Sequence, residues 1–85
     1  MDIKDRFQTA VSDSKLLSQK PDNETLLLLY ALYKQATEGD NAGDPPTNPF
    51  DFVNKAKFEA WLAQKGKSAE TAMLEYTELV TRLKG

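Results

Sequence analysis

The chain has 85 residues, with 11 basic and 13 acidic side chains and neither cysteine nor histidine. That length supports one core, and the missing residue types exclude disulfide frameworks, Cys/His zinc sites, cysteine nucleophiles and Ser-His-Asp triads. A net charge of −2 argues against bulk attraction to nucleic acid, and the longest apolar run, Leu26 to Tyr33, is far short of the roughly 20 residues a membrane span needs. With 40% hydrophobic and 28% charged residues the composition is that of a globular domain. The segment from Met1 to Arg6 lacks the apolar stretch of a secretory signal. The expectation is one soluble domain over residues 1–85, cytoplasmic and monomeric, without stable membrane insertion.

Four helical patterns follow one another. The first runs from about Ile3 to Leu17, with Ile3, Phe7, Ala10, Val11 and Ser14 at helical spacing and Asp2 placed to cap it. Pro21 breaks it. Asp22 or Asn23 can cap the second helix, which reaches about Thr37 and meets Gly39. From Glu38 to Pro49, five of twelve residues are Gly or Pro, which reads as a structured surface loop, long for a helix connection. The third helix spans about Asp51 to Gln64, with Phe58, Trp61 and Leu62 as its apolar edge. Gly66 ends it and Ser68 caps the fourth, whose stripe is Ala69, Ala72, Met73, Tyr76, Leu79, Val80 and Leu83. The fold class is therefore all-α, a small four-helix domain.

The second helix is unusual. Leu29, Leu32 and Ala36 suffice to pack one face, yet Leu26, Tyr30, Tyr33 and Thr37 form another, with Lys34 one turn after Tyr30. A helix apolar nearly all round belongs in a core, but burying phenols and an ammonium requires partners for their polar tips. Two readings stand at this point. The tyrosines are core residues with wet hydroxyls while Lys34 snorkels, or the face lines a ligand groove, with rings to stack a base and cations to hold phosphate. Charge is also uneven: residues 38–51 carry four acids and no base, and residues 55–67 carry four lysines and only Glu59. This predicts opposite poles. Lys57 and Trp61 are neighbours on the third helix.

The segment Tyr30-Ala31-Leu32-Tyr33-Lys34-Gln35-Ala36-Thr37, followed by Gly39-Asp40, resembles the signature of the acyl-CoA-binding protein family. Agreement continues through Asp51-Phe52, Lys55-Ala56-Lys57-Phe58, Ala60-Trp61, Lys65-Gly66, Ser68, Ala72-Met73 and Tyr76. The resemblance implies an up-down-down-up bundle that binds medium- to long-chain acyl-CoA esters one to one. It implies an intracellular carrier and buffer that is not an enzyme and has no cofactor beyond this ligand. By position, Tyr30 and Lys34 match the residues that meet the adenosine 3′-phosphate, with Lys57 and Tyr76. Tyr33 matches the ring against adenine, Lys15 another ligand contact, and Leu26 and Leu27 the lining of the acyl channel. Tyr76 also lies on the fourth helix's apolar stripe and is a core candidate. Trp61 reads as core rather than ligand contact, and Lys55 faces away from Lys57.

The chain departs from the family pattern in places. Val53 stands where many members carry a ligand-touching lysine, and Phe58 replaces a common tryptophan. Leu26 replaces a frequent methionine, and the loop through Gly43-Asp44-Pro45-Pro46 is one residue longer and lacks an Arg-Pro-Gly. These departures leave a second reading, a helical protein-interaction module that kept the bundle and lost the ligand. An acyl-CoA hydrolase has no support, since no activated nucleophile is visible.

Overall fold

A computed structural model describes residues 2–85, and among them there are four helices and no strand. α1 spans Ile3–Ser14, α2 Asn23–Glu38, α3 Phe52–Leu62 and α4 Ala69–Lys84. Each starts where a short polar side chain takes up a free backbone N–H. Asp2 accepts from Asp5, Asp22 from Thr25, Asp51 from Asn54 and Ser68 from Thr71. Of the two caps open to α2, Asp22 is the one used. Gly39 closes α2 with φ of 82°, a left-handed backbone angle that favours glycine. Arg82 and Lys84 lie in the last turn of α4, the favourable end for cations.

α1 is three residues shorter than its periodicity predicts. Ser14 turns its hydroxyl back to the carbonyl of Val11, and the N–H groups of Lys15 and Leu16 reach back only three residues, to Ser12 and Asp13. Leu16 is 80% exposed, so nothing rewards continuing the helix in that direction. The effect is to place Lys15 just past the end of α1. α3 likewise stops at Leu62, two residues early, and passes through a turn to Gly66.

Side-chain contacts give the helix directions. Lys57 lies over the ring of Tyr30 and Lys34 over that of Trp61, so α2 and α3 run parallel. Lys84 pairs with Asp13 across the C-terminal ends of α1 and α4, so these two also run parallel. Gln35, late in α2, bonds the carbonyl of Lys67, just before α4, so α2 and α4 are antiparallel. The result is the expected up-down-down-up bundle. α4 packs between α1 and α2, and α3 packs on the far side of α2.

The core is where α1, α2 and α4 meet. Phe7, Ala10, Leu29, Leu32, Ala36, Ala72, Tyr76, Leu79 and Val80 form it, with Val11, Met73 and Leu83 partly buried around it. Full burial of a side chain such as Phe7 or Leu32 stabilises by about 1.5–3 kcal/mol. α3 contributes no buried residue and leans on α2 through half-buried Ala56, Lys57, Phe58, Ala60 and Trp61. Leu62, expected on its apolar edge, is 40% exposed.

The loop from Gly39 to Asp51 is held by specific bonds. The Trp61 indole N–H donates to the carbonyl of Gly39, and the Asn41 amide donates to that of Phe58. Trp61 is thus an anchor for the loop and lies outside the central core. Asp40 accepts from the backbone N–H of Gly66 and from the Gln35 side chain, each at 2.8 Å. Asp40 of the acidic segment thus sits against the backbone of the basic one at Gly66. Because α2 and α3 run parallel, residue 40 after the end of α2 lies beside residue 66 after the end of α3.

Candidate functional site

The second face of α2 stays open. Leu29, Leu32 and Ala36 are buried as expected, while Leu26 and Tyr30 are half-buried and Tyr33 is 40% exposed. α1 reaches this side of α2 only through side chains, such as the Phe7 ring stacked 5.9 Å from that of Tyr33. α3 flanks the other side. The uncovered strip between them is a pair of adjoining clefts that share Leu26 and Tyr30.

The first cleft, about 320 Å³, lies between α1, α2 and α4. Lys15, Leu26, Tyr30, Tyr33 and Tyr76 line it, together with Val11, Ser14, Pro21 and Leu29. Tyr76 is both core and cleft wall. Only 5% exposed, it packs edge-on against Phe7 with ring centres 5.2 Å apart. Its hydroxyl lies 3.2 Å from that of Ser14, which satisfies the polar tip that burial requires. The second cleft, about 410 Å³, lies between α2 and α3 and is mostly apolar. Leu26, Leu27, Tyr30 and Lys57 line it with Asn23, Phe52, Val53 and Ala56.

Seven of the eight predicted site residues, all but Lys34, therefore line this pair of clefts, with Tyr30 and Leu26 at the junction. Lys57 extends over the Tyr30 ring, 5.4 Å from its centre, and among the described residues it has no carboxylate partner. Lys34 turns to the edge of α2, where its ammonium pairs with Glu38 one turn on and lies 5.2 Å from the centre of the Trp61 ring. The hydrogen bond that Lys34 donates to Glu38 is the main reason its pKa is raised above 10.5, so Lys34 is cationic throughout the physiological range. Trp61 and Tyr30 also border a third depression, beneath the loop.

Sequence reasoning missed the cleft roles of Val11, Ser14, Phe52 and Ala56. Val11 and Ser14 did stand out as members of the α1 stripe, and Ala56 lies three residues from Val53, but nothing local says that these residues face a gap. Gln35 and Asp40 carry no local signal beyond their place in the signature. Here Gln35 is 1% exposed and binds both Asp40 and the Lys67 carbonyl, tying the ends of α2, α3 and α4 together.

Residues 4–80 match the family model described as Acyl CoA binding protein. The chain belongs to the acyl-CoA-binding protein family. It is 43% identical to the acyl-CoA-binding protein homolog of Drosophila melanogaster, over 95% of this chain and 93% of that protein. It is 51% identical to enoyl-CoA delta isomerase 2 of Rattus norvegicus over 91% of this chain, but spans only 19% of that protein. Among solved structures, Oryza sativa acyl-CoA-binding protein 2 superposes with a TM-score of 0.90 at 38% identity, covering 96% of this chain and 90% of that one.

Proposed function

We propose that this protein binds medium- to long-chain acyl-CoA esters one to one and acts as a cytoplasmic, monomeric carrier and buffer rather than an enzyme. One observation carries the reading: two adjoining clefts meet at Tyr30, one with hydroxyls, stacked rings and Lys15, the other mostly apolar with the Lys57 ammonium, which has no carboxylate partner among the described residues. An acyl-CoA ester has the same division, with a nucleotide at one end and an alkyl tail at the other.

Each side chain then has a task. Tyr33 offers a ring that is already stacked on Phe7, so it is held in place to receive adenine. Base–aromatic stacking is worth about 1–3 kcal/mol. Tyr30, Lys57 and Lys34 supply donors to the 3′-phosphate, where charged partners strengthen each bond. Lys15 and Tyr76 bound the nucleotide cleft from α1 and α4. Leu26 and Leu27 face the tail, with Val53 and Ala56 across from them. Val53 extends the apolar wall at the cost of one polar contact. Among the described residues no group of His, Cys, Asp and Glu could hold a metal, and the reading needs none.

Burying each methylene stabilises by about 0.8 kcal/mol, so a tail of about sixteen carbons offers roughly 12 kcal/mol before the costs of association and ordering. The tail therefore dominates affinity, and the nucleotide end sets orientation and discrimination. Calorimetric titration with palmitoyl-CoA, acetyl-CoA, free CoA and palmitate tests this. Tight one-to-one binding of palmitoyl-CoA alone is the expected result. Equal affinity for acetyl- and palmitoyl-CoA would overturn the dominance of the tail, and no binding of any ester would overturn the carrier reading.

A further inference from the structure

The two cations of the α2–α3 seam are held in different ways. Lys57 lies over Tyr30 and Lys34 over Trp61, one helical turn apart. Lys57 has no acidic partner among the described residues, whereas Lys34 is engaged by Glu38, the last residue of α2. Lys34 is also the one candidate contact outside the two clefts. A phosphate oxygen hydrogen-bonded to Lys34 in its present position would sit within about 5–6 Å of the Glu38 carboxylate, since both anions would share one ammonium group. Like charges at that distance repel. Lys34 can serve a phosphate fully only by leaving Glu38.

We infer that Glu38 is a built-in competitor for the phosphate of the ligand, withholding Lys34 until an anion of higher charge density displaces it. This deepens the carrier reading above and rests on it. The pair acts as an attenuator, lowering the affinity of a phosphate-bearing ligand and narrowing its advantage over one without that group. A ligand with a terminal phosphomonoester carries close to two negative charges and can outcompete one carboxylate, while a ligand without that group leaves Lys34 on Glu38 and neither gains nor loses by the pair. Glu38 is half exposed and, among the described residues, makes no other hydrogen bond through its side chain, so replacing it with an isosteric neutral group leaves the packing of α2 unchanged.

The test is calorimetric titration of the full chain with palmitoyl-CoA and with its 3′-dephospho analogue. The proteins are the wild type, Glu38→Gln, Lys34→Ala and the double variant, each checked for an unchanged helical spectrum. Glu38→Gln is expected to tighten palmitoyl-CoA by about two- to fivefold, the scale of a surface i,i+4 ion pair plus one removed repulsion, and to leave the dephospho analogue unchanged. The gain is expected to vanish on the Lys34→Ala background and to shrink at high salt. Equal tightening of both ligands, or the same gain without Lys34, would overturn the inference by showing a general charge effect. No change on Glu38→Gln would overturn it directly. If the wild type binds neither ester, the carrier reading fails and the inference with it; if the wild type binds and Glu38→Gln is silent, only the inference fails.

Discussion

Tyr33 and Tyr76 have the same side chain and opposite circumstances. Both rings touch Phe7, but Tyr33 is 40% exposed on the wall of the first cleft and Tyr76 is 5% exposed with its hydroxyl bonded to Ser14. Removing the Tyr33 ring costs an aromatic pair worth about 0.5–1.5 kcal/mol of stability and little core volume. Tyr33→Ala is therefore expected to lower the melting temperature modestly while weakening CoA-bearing ligands by about 1–3 kcal/mol, the value of a lost stack. Parallel thermal melts and titrations check this. If the protein melts outright, Tyr33 is a core residue first and its ligand role is secondary. Tyr76 gives no such separation, because its ring and hydroxyl belong to the core and the cleft together.

The helices owe their limits to single capping side chains more than to their apolar stripes. α4 illustrates this. It contributes Ala72, Tyr76, Leu79 and Val80 to the core, and its start rests on Ser68, whose hydroxyl accepts from the N–H of Thr71 at 3.1 Å. Loss of a serine cap costs about 1 kcal/mol. In a domain of this size that is about 4–8 °C in melting temperature. Ser68→Ala is expected to show that drop in calorimetric or circular-dichroism melts, and Ser68→Asp to restore the wild-type value because Asp also accepts at the cap and suits the positive end of the helix dipole. α3 is the contrasting case. Having no buried residue, it depends on α2 and the loop for its position, and so the cleft it forms with α2 is the more easily opened of the two.

Beside the apolar core, a small polar clasp ties α2 to the turn between α3 and α4. Asp40, Gln35, Gly66 and the carbonyl of Lys67 meet where α2 and α3 end and α4 begins. The backbone N–H of Gly66, then the Gln35 amide and the nearby charge of Lys65, hold the Asp40 carboxyl below its ordinary 3.8. The Thr25 contacts do the same to Asp22 at the start of α2. A carboxyl whose folded pKa is depressed contributes stability in full above the unfolded value and loses it as pH falls through the folded one. Stability is therefore expected to be flat above the carboxylate range and to fall in acid below pH 3.8. Asp40→Asn keeps an acceptor for Gly66 but cannot titrate, so the acid slope of its urea midpoint is expected to be shallower than that of the wild type. Curves that run parallel would remove Asp40 from the acid response.

The number of helices, the N-caps of α1, α2 and α4 and most of the core could be read from the order of residues. Helical spacing and N-caps are local: Asp2, Asp22, Asp51 and Ser68 each bond a residue three places on. The signature around Tyr30 and Lys34 was enough to place the chain in its family, and the family match bears that out. The end of α1 at Ser14, the open face of α2 and the role of Trp61 as a loop anchor could not be read this way. They depend on contacts between residues far apart in the chain, such as Tyr76 with Ser14 and Gln35 with Lys67. A cleft is a place where packing stops, and no periodicity records that. The same holds for Lys34. The motif marks it as a cation one turn from Tyr30, but its direction, toward Glu38 and Trp61 and away from the clefts, follows from how α2 and α3 lie side by side.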